Sequence, residues 1–164
     1  MTQAIDVQAM FAKTRLVPIE GAGTPLNALA PHRAAAGMVE QEFRLSGTAA
    51  RYRFSHLAQE AVRIDDGHPY ATRLLVRRPA DPDRFSGTVV VEWLNVSAGQ
   101  DLDFVHAATR ELIVRSGHAW VGVSAQRVGV ERLATWNPQR YAGLSVAAPL
   151  DDPDGGAPLD PAHT

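Results

Sequence analysis

The run GTVVVEWLNVSAGQDLDFVHAATRELIVRSGHAWVGVSAQ, from Gly87 to Gln126, constrains the fold more than any other part of this chain. Consecutive valines at 89, 90 and 91 make Thr88 to Leu94 a near-continuous β-branched run, the pattern of a strand buried on both faces of a parallel sheet. A polar loop, Asn95 to Asp101, follows. Then Val105, Ala108, Leu112 and Ile113 recur on one helical face, with Arg110, Glu111 and Arg115 elsewhere. Gly117 is placed as a helix stop, and Ala119 to Ser124 returns as a second apolar strand. Strand, helix and strand of this length predict one parallel βαβ crossover. At the helix start, Ser97 and Gln100 have capping-box spacing and Asp101 is an alternative cap. Asp101 and Asp103 also suit the positive end of the helix dipole.

The flanks are read against that unit. Residues 1–37 carry Pro18, Pro25, Pro31, Gly21, Gly23 and Gly37, which break any long element, so an irregular covering arm is expected. Val39, Phe43 and Leu45 alternate with Glu40, Glu42, Arg44 and Ser46, the period of a strand with one wet face, ended by Gly47. A short extended piece at Arg51 to Phe54, a turn at Asp65-Asp66-Gly67 and a second strand from Tyr70 to Arg78 follow. Two strands joined without a helix predict antiparallel neighbours. Beyond Gln126, Val128 to Thr135 is open between a short helix and an extended segment, and Trp136 to Tyr141 predicts an ordered loop with two aromatic anchors. The expected organisation is the arm 1–37, an α/β domain 38–147 and a disordered tail 148–164 rich in Pro, Asp and Gly.

Composition excludes several classes of function. Sixteen Lys and Arg against 18 Asp and Glu give a net charge of -2, without the basic stripe that nucleic acid requires. No cysteine is present, so disulfides, thiol catalysis and cysteine-based metal sites are impossible in this chain. The start lacks the apolar core of a secretory signal, and no run approaches the roughly 20 apolar residues of a membrane span. A soluble, cytoplasmic protein is the expectation.

In an open α/β sheet, ligands bind beyond the carboxyl ends of the parallel strands, which directs attention to Asn95 to Gln100 and to Ser124 to Val128. The first loop joins small residues to a helix start, the setting of an anion or oxyanion site, although Ser97 acting as a helix cap explains the same residues. Neither G-x-G-x-x-G nor G-x-x-x-x-G-K-[ST] is present, which disfavours nucleotide binding; no cofactor is expected. Two serines imitate a nucleophile elbow, Ser124 in Gly122-Val-Ser-Ala-Gln126 and Ser145 in Gly143-Leu-Ser-Val-Ala147. Both lack the second glycine, and neither is followed by a convincing helix, so both are weak candidates. His32, His56, His68, His106, His118 and His163 show no metal-ligand spacing. Asp151-Asp152-Pro153-Asp154-Gly155 only faintly resembles a calcium loop, so no metal is expected. Glu92 is the odd residue, a carboxylate in an apolar strand that must find a partner, for which Arg73 or Arg77 is the natural choice.

The strings TRLLVRRPADPDRFSGTVVVEWLNVSAGQD, GHAWVGVSAQRVGVERL and NPQRYAGL resemble the N-terminal half of an α/β-hydrolase-domain family, over about residues 37–144. The resemblance implies antiparallel leading strands, then the parallel βαβ unit, in an incomplete sheet. It further implies that Asn95, Val96 and Ser97 form the oxyanion loop of a serine hydrolase acting on a small ester or acyl substrate. In that family the elbow serine, the acid and the histidine come later in the chain, and no positions here match them. A fragment, a truncated product or half of a complex is expected, nearly inactive alone. From a different class, the rival expectation is a noncatalytic domain whose open sheet edge binds a partner chain or a second copy.

Overall fold

The computed structural model describes residues 13–21, 23–28, 37–53 and 61–146. The predicted tail and its Asp151–Gly155 stretch lie outside these residues, as do His32, His56 and His163. The described strands are β1 (Arg15–Pro18), β2 (Met38–Arg53), β3 (Val62–Pro79), β4 (Val89–Trp93) and β5 (Ala119–Val123). Helix α1 (Phe104–Arg115) links β4 to β5, and α2 (Arg127–Trp136) follows β5. The sheet order is β1-β2-β3-β5-β4. All neighbours are antiparallel except β4 and β5, which pair in parallel, so the antiparallel lead and the βαβ unit stand as the sequence predicts.

Several boundaries differ from the expectation. The supposedly irregular arm contributes β1, paired with β2 from Arg15 opposite Ser46 to Pro18 opposite Phe43. Gly47 does not end β2, which runs 16 residues, and Asp65-Asp66-Gly67 lies inside the 18-residue β3. There the chain tolerates Gly67 at φ 85 because the pairing is already irregular, with register shifts on either side of Arg51. Arg51 binds Asp65 through its Nε at 2.8 Å, which supplies the turn-forming aspartate with a partner inside the strand. The segment left open between two conformations is the helix α2.

Register separates the sheet into two chemically different faces. Glu42, Leu75, Gly122 and Glu92 form one row, and Glu40, Arg77, Trp120 and Val90 form the next, all on one face. Both helices cover that face. Met38, Leu75, Leu94, Ile113 and Trp120 pack under α1, while Leu26, Val130, Leu133, Tyr141 and Leu144 pack under α2. On the opposite face the rows are Phe43, Leu74, Val123, Trp93 and Gln41, Val76, Val121, Val91. Apart from Gln41 these are apolar but open, with Val91 65% and Trp93 67% exposed. The expectation that the valine run is buried on both faces is therefore corrected: β4 is an edge strand, covered on the side of Glu92 only.

The helix is turned relative to the expectation as well. Of the predicted apolar stripe only Ile113 is buried, beside His106, whereas Val105 and Leu112 face outward and are nearly half exposed. The reason is polar rather than apolar packing, because both carboxylate oxygens of Glu92 grip the first turn of α1. Oε1 accepts from the Val105 N–H at 2.8 Å and Oε2 from the His106 N–H at 2.9 Å. Trp120 Nε1 donates to Oε2 at 2.9 Å. A carboxylate from the sheet thus does the capping work that Ser97 or Asp101 was expected to do. Asp103 is the N-cap residue, and its side chain makes no capping bond.

Candidate functional site

Two loops leave the carboxyl ends of the parallel strands, and both are pinned from below. The β4 loop is closed at its base by a two-way bridge, Asn95 N–H to Leu102 O at 3.2 Å and Leu102 N–H to Asn95 O at 2.8 Å. Within it, Asn95 Oδ1 accepts the Ser97 N–H at 2.9 Å, and the Gly99 N–H reaches Val96 O at 2.9 Å. The Asn95 and Ser97 N–H groups are thereby spent. Between them, the Val96 N–H has no hydrogen-bond partner among the described residues. Ser97, Ala98 and Gly99 are exposed, so small side chains leave the backbone approachable from solvent.

Beneath this loop lies a charged network that reaches from β2 across β3 to β5 on the sheet's covered face. Arg73, fully buried on β3, donates from Nη2 to Asp101 at 2.9 Å, from Nη1 to Glu42 at 3.1 Å, and from Nε to Ser124 Oγ at 3.1 Å. Ser124 Oγ in turn donates to Asp101 Oδ2 at 2.5 Å. Glu42 also receives the Tyr141 hydroxyl at 2.7 Å and Arg140 Nε at 2.7 Å. Four residues further along β3, on the same face, Arg77 binds Glu40 and Asp103 and lies 4.8 Å over the Trp120 ring. Fork-shaped guanidinium groups suit this work, since each can serve several acceptors with fixed geometry.

The predicted partners of Glu92 are corrected by this geometry. Arg73 and Arg77 serve the carboxylates of Glu42, Asp101, Glu40 and Asp103, while Glu92 is satisfied by the helix start and the Trp120 indole. A helix N-terminus carries partial positive charge, so it can replace an arginine as the partner of a buried carboxylate.

The ionisation pattern follows from burial. Burial pushes the Asp101 carboxyl above its ordinary value, against Arg73 and Ser124, which favour the charged form. Its Oδ1 is the one buried side-chain polar atom without a partner among the described residues. That oxygen is tucked against Gly129 in the first turn of α2, where a Cβ would overlap it. Burial also acts on Asp103, yet the neighbouring His106 and Arg77 outweigh it and bring its pKa down to about 2.

The sequence-predicted serines end up in different places. Ser124 sits at the end of β5, but its hydroxyl is fully buried and shared between Arg73 and Asp101, which makes it part of the network instead of a presented nucleophile. Ser145 is bridged to Ala71 on β3 through paired backbone bonds of 2.8 Å. It follows the turns at 138–143, so no strand leads into it as an elbow requires. Asn95, Val96 and Ser97 do share one loop at the carboxyl end of β4. His106 is buried, with Nδ1 2.8 Å from Arg77 and its ring against Trp120, and His118 pairs with Ser86 at the opposite end of the sheet. No metal-holding group of His, Cys, Asp and Glu occurs among the described residues. No described helix is long and apolar enough to cross a membrane.

The arginine network is what sequence reasoning missed. Its signal is present, since Arg73 and Arg77 lie an even number of residues apart on a strand and must share a face. A family model described as an alpha/beta hydrolase domain matches residues 12–162. No curated protein and no solved structure gives a match.

Proposed function

On the premise that this chain belongs to the alpha/beta hydrolase domain family, we propose that it carries the oxyanion side of an active site for serine-dependent ester or acyl hydrolysis. In this reading the Val96 N–H is the donor, and the nucleophile, acid and histidine are not among the residues of this chain. The observation that carries it is the unspent Val96 N–H between two spent neighbours, at the carboxyl end of a parallel strand and beside small, exposed residues. A donor held in place before the substrate arrives needs no reorganisation as charge develops on the carbonyl oxygen. Asp101, Arg73 and Ser124 hold the loop from below and do no chemistry themselves. Small-molecule esters are the expected substrate class once the nucleophile is supplied.

The test is hydrolysis of short p-nitrophenyl esters by the purified chain. Turnover at the buffer background is expected, unchanged by Ser124→Ala or Ser145→Ala in variants that keep the parent circular dichroism. Robust turnover abolished by either substitution would defeat the reading.

A second reading rests on a separate observation, the open edge of β4 with Val91 and Trp93 exposed. It makes the chain a noncatalytic domain that pairs with a partner chain or a second copy along that edge, since an unpaired strand is a template for another. Sedimentation over a wide concentration range distinguishes the two. A chain that stays monomeric at high concentration rules out self-pairing.

A further inference from the structure

A second concave site lies on the covered face, away from the loops described above. Val17 stands opposite Arg44 and Arg15 opposite Ser46, so these side chains share the face that carries Glu42 two residues along. The turn after α2 closes over them with Gln139 and Arg140, leaving an open cleft of about 430 Å³. That volume falls in the range of small-molecule sites.

Among the described residues, three guanidinium groups line this cleft against one carboxylate, Glu20. They are prepared to different degrees. Arg140 is nearly buried and locked, with Nε on Glu42 at 2.7 Å and Nη1 on Gly21 O at 3.0 Å. The hydrogen bond and charge of Glu42 outweigh the burial that disfavours its charged form, so it stays firmly cationic. Arg44 is tied to Ala142 O by Nη2, which leaves its other N–H groups unspent in the hydrogen bonds described. Arg15 is exposed and has no hydrogen-bond or ion-pair partner among the described residues. Ser46 and Gln139 add neutral polar groups to the wall. Two anchored cations, a third without a partner among the described residues and a small polar wall make a receptor for oxygen anions, because guanidinium donors match carboxylate and phosphate geometry.

We propose that the cleft between β1, β2 and the turn after α2 binds a small oxyanion-bearing molecule, a carboxylate or a phosphate, through Arg15, Arg44 and Arg140. Arg140 and Arg44 set the floor and Arg15 closes on the ligand. Glu20, exposed at the same cleft, opposes excess negative charge and limits how highly charged the ligand can be. The site does not depend on the hydrolase reading, since it shares none of its residues.

The experiment is calorimetric titration of the full chain, at low ionic strength, with inorganic phosphate and in a second arm with succinate. Saturable binding in either arm is expected, and the arm that binds identifies the anion as phosphate-like or carboxylate-like. Arg15→Gln and Arg44→Gln should each weaken binding about tenfold, the loss of one charge-assisted hydrogen bond, and Glu20→Gln should tighten it. Arg15→Gln decides the matter, because an exposed side chain with no hydrogen-bond or ion-pair partner among the described residues can be replaced with the fold intact. No saturable binding in either arm, or binding that Arg15→Gln leaves unchanged, overturns the proposal.

Discussion

One face of the sheet is held by charge and the other is left apolar and open, although both are built on the same strands. On the covered face Arg73 and Arg77 gather four carboxylates, and Glu92 caps α1 from the strand beside it. Each of these bonds has one correct geometry, so the network fixes register, the seat of the helix and the base of the β4 loop together. On the open face Phe43, Leu74, Val76, Val121, Val123, Val91 and Trp93 make a surface that is energetically useful only when something lies on it. Burying such surface gains roughly 25 cal/mol per Å². Specificity resides on the first face and unused burial energy on the second.

Substitutions that exchange the character of the two faces test this contrast. Arg73→Met should be the most damaging, because it leaves Glu42 and Asp101 buried without their shared cation. A loss of about 3–5 kcal/mol is expected in urea unfolding, and a loss below 1 kcal/mol would show that the network contributes little. Glu92→Ala should cost about 2 kcal/mol by stranding the Val105 and His106 N–H groups and the Trp120 indole. Its far-ultraviolet signature should be reduced helix content.

The third prediction is a pH dependence. Asp103 titrates at about 2 in the folded chain against an ordinary value of 3.8, so folding favours its charged form. The stability it contributes is complete above pH 4 and is lost as the pH falls through 2. Asp103→Asn should flatten that acid limb. Asp101, whose pKa burial raises, works in the opposite sense: its charged form costs stability as the pH rises. Asp101→Asn should therefore not flatten the same limb.

The smallest effect is expected on the open face. Trp93→Lys should change unfolding free energy by less than about 0.5 kcal/mol while lowering any concentration-dependent association seen by sedimentation. A destabilisation as large as that of Glu92→Ala would mean that Trp93 is covered in solution and the contrast is false.

What could be read in the sequence divides along the same line. Local patterns were legible: the valine run, the helix with its glycine stop and the returning strand all stand, as does the antiparallel pairing before them. Which face of an apolar element is covered was not. A run such as Val89 to Val91 looks the same whether one side or both are buried, and β4 is buried on the side of its single charged residue. The periodicity of α1 pointed to Val105 and Leu112, but the grip of Glu92 on its first turn brings His106 and Ile113 inward. The same limit applies to the partners of Glu92, since sequence shows which arginines are near but not that a helix start serves instead. For the candidate site, Asn95, Val96 and Ser97 were identifiable as one loop from strand end and small residues. That Val96, unlike Asn95 and Ser97, keeps an N–H without a partner among the described residues depends on the Asn95 side chain and the Leu102 bridge, which no spacing rule reveals.

Under the function proposed above, this chain supplies an oxyanion donor and no activated serine. Treatment with a fluorophosphonate, which reacts with serines that a neighbouring base has activated, followed by intact and peptide mass spectrometry, tests it most directly. An unmodified chain is expected under conditions that fully label a control serine hydrolase. Stoichiometric labelling at Ser97, Ser124 or Ser145 would contradict it.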